Sequence, residues 1–197
     1  MTQPFGETMT LNFYGPFKFT KGDKYLYHTE FVNSEGIYIW TIRDERNGRN
    51  LVHYIGETTS FGKRHREHLV EITGLNYRII DADSAKQGIE NRVWNGMWRD
   101  KSQDAVASLL DSYDEVSKRV IDYVQLISIH FAPTALESGL RKHVEGCFGW
   151  NLRSRYPHLK TFYPDDNFVG RYPKPIGRTL IVNLPEPIAG IDTEQAI

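Results

Sequence analysis

The sequence has very little cysteine, since Cys147 is the only one in 197 residues. A single thiol cannot form a disulfide within the chain, and it excludes a zinc site made from several thiolates. We therefore expect a reducing compartment, with the cytoplasm as the default location.

Long apolar segments are also missing. The candidate runs, such as residues 180–182, are only a few residues long, whereas a membrane-spanning helix needs about 20 predominantly apolar residues. The N-terminal segment lacks the basic and apolar parts of a secretory signal. The sequence thus predicts no secretory signal, no membrane-spanning segment and no membrane partner.

An excess of charge of one sign is absent too, because 24 lysines and arginines balance 25 acidic residues. The net charge of −1 does not by itself indicate a nucleic-acid partner. Basic residues are nevertheless concentrated between residues 151 and 178. This stretch has the acidic residues Asp165 and Asp166 but the basic residues Arg153, Arg155, Lys160, Arg171, Lys174 and Arg178. Such a patch can bind a polyanion locally, although a solvated surface is the simpler interpretation of charge alone.

The composition that is present is ordinary for a globular protein, with 40% hydrophobic and 25% charged residues. These values fit a single domain over residues 1–197. The order of predicted strands and helices indicates a mixed α/β domain with an N-terminal β extension and a central helical insertion.

The clearest local prediction is a β-hairpin over residues 36–56. Its two β-rich segments flank Asn47 and Gly48, a pair typical of tight hairpin turns. A helix is expected from Phe61, after three possible N-cap residues. Further helices are predicted over 84–99, 102–118 and 135–147, and a strand is predicted over 120–131.

The hairpin carries one tyrosine on each strand. The tripeptides around them are Gly36-Ile37-Tyr38 and Tyr54-Ile55-Gly56. Arg64 and His68 follow four residues apart, which places them on one face of a helix. Downstream, Glu137 lies early in the last predicted helix, and Asn151 follows fourteen residues later.

This pattern resembles the GIY-YIG nuclease superfamily. Both tripeptides that name the family are present verbatim, and Arg64 lies eight residues after Gly56, where the family has an arginine. His68 matches a histidine of the homing and restriction members. Glu137, in a Leu-Glu-x-x-Leu segment, matches the metal-binding glutamate, and Asn151 matches a family asparagine. The resemblance covers residues 35 to about 151. It implies an α+β fold in which a small central three-stranded antiparallel sheet is flanked by helices. In that fold the core spans about residues 35–151, the helical insertion about 71–123 and the C-terminal extension about 152–197.

The resemblance implies a metal-dependent endonuclease that hydrolyses phosphodiester bonds in double-stranded DNA. Glu137 would hold Mg²⁺ or Mn²⁺, a hard cation that keeps several of its waters. Arg64 would neutralise the charge that develops on the phosphate, because its fork shape suits a phosphate and it keeps its proton. Tyr38, Tyr54 or His68 would take the proton of the attacking water, and the sequence leaves this choice open.

Contacts with DNA are expected near the catalytic arginine and in the basic region after the last helix. The candidates are Lys63, Asn151, Arg153, Arg155 and Lys160. Because no separate DNA-binding module is evident, the chain is most similar to the restriction-type members. Such an enzyme can act as a homodimer in which each subunit cuts one strand.

Alternatives exist for both residues and function. Glu145 is a rival to Glu137 as the metal-binding acid, and Asn167 is a rival to Asn151. Glu137 can also serve as the capping-box partner of Thr134. The protein can instead be a structure-selective DNA repair or recombination nuclease, or a nucleic-acid-binding protein that kept the fold without turnover.

Overall fold

The computed structural model describes residues 8–99, 102–159 and 176–197. These residues form a mixed α+β fold, as expected from the sequence. Their helices are α1 (Phe61–Thr73), α2 (Ala82–Lys86), α3 (Gln103–Leu126) and α4 (Ser138–Arg155), with 3₁₀ turns at Leu26–His28 and Pro157–Leu159. Their strands are β1 (Thr8–Asn12), β2 (Tyr14–Phe17), β3 (Gly36–Asp44), β4 (Arg49–Thr58), β5 (Ile79–Ile80), β6 (Arg92–Trp94), β7 (Ser128–Pro133), β8 (Thr179–Asn183), β9 (Ile188–Ala189) and β10 (Glu194–Ala196). None of these helices is both long and apolar enough to cross a bilayer.

The central sheet is wider than the sequence predicted. Its strand order is β2-β7-β3-β4-β9, so the expected three antiparallel strands, β7, β3 and β4, form only its centre. β2 pairs antiparallel with β7, and β9 pairs parallel with Asn50 and Leu51 of β4. The prediction of three strands is therefore wrong in number. The added strand β9 is two residues long, too short for a hydrophobic pattern to reveal.

The N-terminal β extension is present and is divided between two sheets. β1 pairs parallel with β8, which also pairs antiparallel with β10, whereas β2 joins the central sheet. The predicted insertion is only partly helical, because β5 and β6 form a two-stranded ribbon between α1 and α3.

The predicted hairpin is confirmed as β3 and β4, which pair from Gly36 with Thr58 to Asp44 with Arg49. At the turn, the Asp44 carboxylate accepts hydrogen bonds from the Arg46 backbone N–H and the Asn47 side-chain amide. Gly48 has a φ of 67°, a left-handed conformation that glycine adopts without steric cost.

Both faces of the central sheet are covered by other elements. Successive side chains along β3 point to opposite faces, so they belong to two different hydrophobic cores. Ile37 and Ile39 pack with buried residues of α4 and the smaller sheet. Tyr38 and Trp40 point to the opposite face and pack with buried residues of α1, α3 and the insertion. Tyr38, the tyrosine of the first tripeptide, is therefore a core residue.

The predicted helix over residues 84–99 is wrong. α2 ends at Lys86, and Gly88 adopts a φ of 64°, a left-handed conformation typical of the position after a helix end. The chain then continues as β6.

The predicted strand over residues 120–131 is wrong in its first half. α3 continues to Leu126, and β7 begins at Ser128. Val116, Val120 and Val124 are buried at intervals of four residues, which is the spacing of a helix face that packs on a core. The same residues also fit a loose alternation, so the pattern alone did not separate the two structures.

The helix predicted over residues 135–147 begins and ends later, as α4. Thr134 still belongs to the sheet edge, since its backbone N–H donates to the Glu35 carbonyl. Glu137 is the residue before α4 rather than a residue inside it. The predicted capping box is wrong, because the Thr134 hydroxyl accepts from the Leu136 backbone N–H and Glu137 makes no side-chain cap.

Candidate active site

A cleft of about 710 Å³ lies between α1 and α4, over the C-terminal half of β4. This half of β4 extends beyond β9, which pairs only with Asn50 and Leu51. Among the residues that line the cleft are Tyr38, Tyr54, Gly56, Glu57, Lys63, Arg64, Glu67, Gly139, Lys142, His143 and Glu145. The structure thus brings four of the predicted site residues, Tyr38, Tyr54, Lys63 and Arg64, to one surface.

The glycines of both tripeptides are required by close approaches of other groups. Gly56 pairs with Tyr38, and a Cβ at Gly56 would lie 2.3 Å from the Tyr38 hydroxyl oxygen. A Cβ at Gly36 would lie 2.1 Å from the Ala132 carbonyl oxygen on β7. These distances are far below van der Waals contact, so glycine at 56 lets the Tyr38 ring lie across β4, and glycine at 36 lets β7 pair with β3.

The two tyrosines are stacked at the base of the cleft, with ring centroids 5.9 Å apart and planes 13° apart. Tyr38 forms the floor, but its side chain is completely covered, whereas Tyr54 is half-buried. Of the two phenols, Tyr54 therefore has the more direct access to a molecule in the cleft.

The Tyr38 hydroxyl is held by two residues of α1. It lies 2.7 Å from His68 Nε2, and the Arg64 Nε–H donates to it at 3.4 Å. Burial raises the pKa of Tyr38 well above its usual value, and the neighbouring Tyr54 raises it further, while Arg64 opposes this shift. Tyr38 is therefore a neutral hydroxyl in this structure.

Arg64 is a cation in direct contact with the Tyr38 hydroxyl. Burial lowers the pKa of its guanidinium, but interactions with Tyr38, Tyr54 and Glu67 outweigh burial and raise the pKa overall. Its Nη1 also lies 3.2 Å from a Glu67 carboxylate oxygen. Because its side chain is 38% exposed, Arg64 can reach an anion in the cleft while it stays anchored to Tyr38.

Two buried histidines of α1 lie behind the cleft floor. The Trp40 indole N–H donates to His65 Nε2 at 3.0 Å, so His65 Nδ1 carries its proton and donates to the Phe61 carbonyl. Burial lowers the pKa of His65 to about 3. Burial, Arg64 and His65 lower the pKa of His68 well below its usual value. Both rings are therefore neutral in this structure.

The acids are not placed as the sequence predicted. Glu145, the rival acid, lines the cleft, and its charge raises the pKa of Tyr38. Glu137 is exposed at the N-terminus of α4 and lies at the rim rather than in the wall. Its carboxylate is still close, because a Cβ built on the lining residue Gly139 would lie 3.3 Å from Glu137 Oε1.

Glu57, which lines the cleft, and Glu35, which lies outside its lining, share Arg141 as a cationic partner. Glu57 receives a hydrogen bond from Arg141 Nε at 3.1 Å, and Glu35 lies 2.6 Å from Arg141 Nη1. Arg141 is only 2% exposed, and it also donates to the Leu136 carbonyl. This arginine fastens the beginning of α4 to the hairpin, and sequence reasoning did not identify it.

One face of α4 forms the opposite wall of the cleft. Gly139, Lys142, His143 and Gly146 have the i, i+3, i+4 and i+7 spacing of a single helix face, and all of them line the cleft. This spacing is visible in the sequence and was not used. Burial and Arg178 lower the pKa of His143, so Lys142 supplies the positive charge on this wall.

Most of the predicted DNA-binding residues lie elsewhere. The Asn151 amide donates to Gln195 of β10, and Arg155 pairs with Asp192 at 2.5 Å. Together with Arg153 they occupy the C-terminal part of α4, beyond the residues that line the cleft. Lys160 and the rival Asn167 lie outside the described residues. Of the candidates that lie within the described residues, Lys63 is the one that lines the cleft.

A second cavity of about 710 Å³ lies near the turn of the hairpin, around Arg43, Arg49, Tyr156 and Glu186. None of the predicted site residues within the described ranges lines it, and its described lining lacks the buried phenol–imidazole pair of the first cleft. Within the described parts of the chain, no three His, Cys, Asp or Glu side chains are close enough to hold a metal ion together. A metal in the first cleft would therefore be held by one or two carboxylates.

Comparison with protein-family models, curated proteins and solved structures finds no match for this chain. Arguments about its function therefore depend on the chemistry of the cleft.

Proposed function

We propose that the chain is a metal-dependent endonuclease of the GIY-YIG type that hydrolyses phosphodiester bonds in double-stranded DNA. The observation that carries this proposal is the convergence of two phenols, a guanidinium and a lysine on one cleft, with His68 bonded to the deeper phenol. These side chains come from β3, β4 and α1, so their meeting is a product of folding. Acid–base groups beside fixed cations are what phosphodiester hydrolysis requires.

Two of the cations of α1, Lys63 and Arg64, bind the phosphate in this proposal. Arg64 offers several N–H donors in a planar fork, and Lys63 offers a compact charge one residue earlier. Their positive charge compensates the negative charge that develops on the phosphate oxygens during attack. Glu67 pairs with Arg64 in the structure, and a phosphate would compete with it for the guanidinium.

The phenols and His68 move the proton of the attacking water. Tyr54 is the more accessible phenol, whereas Tyr38 has a direct path for its own proton to His68 Nε2. Arg64 lowers the pKa of His68 in the structure. A bound phosphate would offset that charge and make a protonated His68 easier to form. Tyr38 and Tyr54 stay alternative acceptors of the water proton.

The acids around the cleft fit a hard divalent cation. Glu145 lines the cleft and Glu137 lies at its rim, and carboxylate oxygens are the ligands that Mg²⁺ and Mn²⁺ prefer. When bound, such an ion supplies positive charge that stabilises the transition state and the leaving oxygen. Glu137 is the acid that the resemblance indicates, and Glu145 is the one that the cleft wall favours.

The wider proposal is a restriction-like, cytoplasmic enzyme that acts on a specific site as a homodimer. The protein that binds nucleic acid without turnover is a second candidate. It is favoured by one observation, the complete burial of Tyr38 beneath the cleft.

Cleavage of supercoiled plasmid separates these possibilities. We expect the wild type to cut with Mg²⁺ or Mn²⁺ and to stop when EDTA is added. Arg64→Ala should lose at least about 100-fold in rate, because it removes the charge beside the phosphate. Arg49→Ala and Glu45→Ala, at the far end of the hairpin, serve as matched controls and should cut as the wild type does.

The acids are tested in the same assay with Glu137→Ala and Glu145→Gln. The variant that raises the Mg²⁺ concentration needed for half-maximal cutting identifies the acid that holds the ion. Equal cutting by the wild type and all of these variants would overturn the proposal. DNA binding without cutting by the wild type would establish the second candidate instead.

A further inference from the structure

His68 bridges two tyrosines rather than one. Its Nε2 lies 2.7 Å from the Tyr38 hydroxyl, and its Nδ1 lies 3.0 Å from the hydroxyl of Tyr77. Tyr77 follows α1 and was not among the predicted site residues. The three side chains form one hydrogen-bonded chain that runs from the cleft floor into the insertion.

The direction of these hydrogen bonds follows from the donors present. The Arg64 Nε–H donates to the Tyr38 oxygen, so the hydrogen of the Tyr38 hydroxyl must point to another acceptor. Among the described residues, the bonded acceptor at that hydroxyl is His68 Nε2. With Nε2 accepting from Tyr38, a neutral His68 ring carries its proton on Nδ1, and in this tautomer Nδ1–H donates to the Tyr77 oxygen.

The position of Tyr77 is set by the insertion. After α1 the chain reverses at Leu75, which has a left-handed φ of 57°. The Trp94 indole N–H and the Met97 backbone N–H both donate to the Leu75 carbonyl. At Gly96 a Cβ would lie 2.7 Å from the Tyr77 carbonyl carbon, so glycine allows the insertion to press against this segment.

We propose that Tyr77 is a positioning residue, supplied by the insertion, that holds His68 as the Nδ1–H tautomer with Nε2 open to the Tyr38 proton. The catalytic part of this inference rests on the proposed function, with Tyr38 taken as the acceptor of the water proton. As the Tyr38 oxygen takes a proton from water, the original Tyr38 proton passes to His68 Nε2. His68 then carries both ring protons, and Tyr77 accepts the hydrogen bond from Nδ1–H. After the attack, His68 returns its extra proton to Tyr38, and Tyr38 releases the proton that it took from water to the solvent in the cleft.

The surroundings of His68 show why this acceptor matters. The ring faces Tyr38 and Trp40 on β3, Tyr54 on β4 and His65 on its own helix, besides Tyr77. Arg64 adds an unfavourable positive charge. In a fully buried ring, an N–H without an acceptor is costly, and the cost is greater for the protonated ring.

The kinetic test uses Tyr77→Phe, which keeps the ring and removes only the oxygen. We expect kcat to fall on the order of tenfold, because one hydrogen bond to a charged ring is lost, with KM nearly unchanged. His68→Gln should lower kcat at least as much, and the double variant should be no worse than His68→Gln alone. Tyr123→Phe is the matched control, because it removes a buried tyrosine–histidine hydrogen bond, to His53, away from the cleft. Its kcat should equal that of the wild type.

A second measurement does not need activity. Nitrogen-15 NMR of the histidine rings of the full chain, with the His68 signals assigned by their loss in His68→Gln, should show His68 protonated on Nδ1. In Tyr77→Phe that N–H proton should exchange with water at least tenfold faster. An Nε2–H tautomer in the wild type, or identical exchange in the variant, overturns the inference. If the wild type cuts no DNA, the proposed function fails while the NMR result still decides the role of Tyr77.

Discussion

Gly56 illustrates how one residue without a side chain determines the site. The Tyr38 ring occupies the space in which a Cβ at Gly56 would lie. The same ring reaches His68 through its hydroxyl. Glycine in the second tripeptide is therefore required for packing, independently of any catalytic role of the site.

Gly56→Ala should destabilise the protein and separate Tyr38 from His68. The added methyl group would lie 2.3 Å from the Tyr38 oxygen, and the surrounding core is buried, so we expect a loss of about 1–3 kcal/mol in the free energy of unfolding. Urea denaturation measures it. Gly139→Ala is the control, because its Cβ would meet only the end of the flexible Glu137 side chain on a helix. It should gain roughly 0.5 kcal/mol, and a loss as large as that of Gly56→Ala would contradict the packing argument.

At this scale the structure brings the predicted phenols and cations together at the cleft, whereas the predicted acid Glu137 lies at its rim. Tyr38, Tyr54, Lys63 and Arg64 lie within a short hairpin and the helix after it, so local structure brings them together. Glu137 comes from a distant segment, and its position depends on where α4 begins. A shift of the helix start moved this residue from the wall to the rim.

At the scale of elements, the position of α4 is decided by Arg141. This buried side chain joins Glu57 on β4 and Glu35 before β3 to the first turn of the helix. The lining residues Lys142 and His143 follow it directly. The geometry of the cleft therefore depends on one arginine that does not line it.

Arg141→Met should destabilise the fold by about 3 kcal/mol, because it leaves a largely buried Glu57 carboxylate without its partner. Adding Glu57→Gln should recover part of this loss, since the unpaired charge is then removed. Arg155→Met is the matched control, because its ion pair with Asp192 is at the surface and its side chain is 55% exposed. That variant should lose less than about 1 kcal/mol. Equal losses in the free energy of unfolding for the two variants would show that Arg141 does not hold α4 against the hairpin.

The insertion shows the limit of sequence patterns for elements. The sequence predicted helices from residue 84, yet Gly88 ends α2 and a two-stranded ribbon follows. The backbone at Gly96 packs closely against the segment after α1. This contact arises from tertiary packing and has no signature in the local sequence. A period of apolar residues predicts which face is buried, but it does not reveal which loop will press against it.

For the whole molecule, burial of both faces of the sheet should make the free energy of unfolding depend on pH. Three histidines, His65, His68 and His130, are completely buried around the central sheet. Burial lowers the pKa of His65 to about 3 and that of His130 to about 4, and it lowers the pKa of His68 well below 6.5. All three are therefore neutral over a range of pH in which the unfolded chain binds protons.

The free energy of unfolding should consequently be highest above about pH 6.5 and should decrease as the pH falls from there towards about 4. Each buried histidine contributes a slope of up to about 1.4 kcal/mol per pH unit, because only the unfolded state takes up its proton in this range. Urea denaturation at several pH values measures the slope. His65→Gln should reduce it by one such contribution, whereas His28→Gln, at an exposed position, should leave it unchanged. A slope that is the same in both variants would contradict the burial argument.

The sequence alone determined the hairpin, its turn and the α1 helix that follows it, because these depend on contacts between near neighbours along the chain. It also determined that phenol, guanidinium and imidazole groups lie on adjacent elements. Only the tertiary structure decided that Tyr38 is covered, that Glu145 rather than Glu137 lines the wall, and that Tyr77 stands behind His68. Each of these features depends on packing between segments that are distant in the chain. A displacement of a few ångströms changes which side chains are in contact, and a local sequence pattern does not specify such displacements.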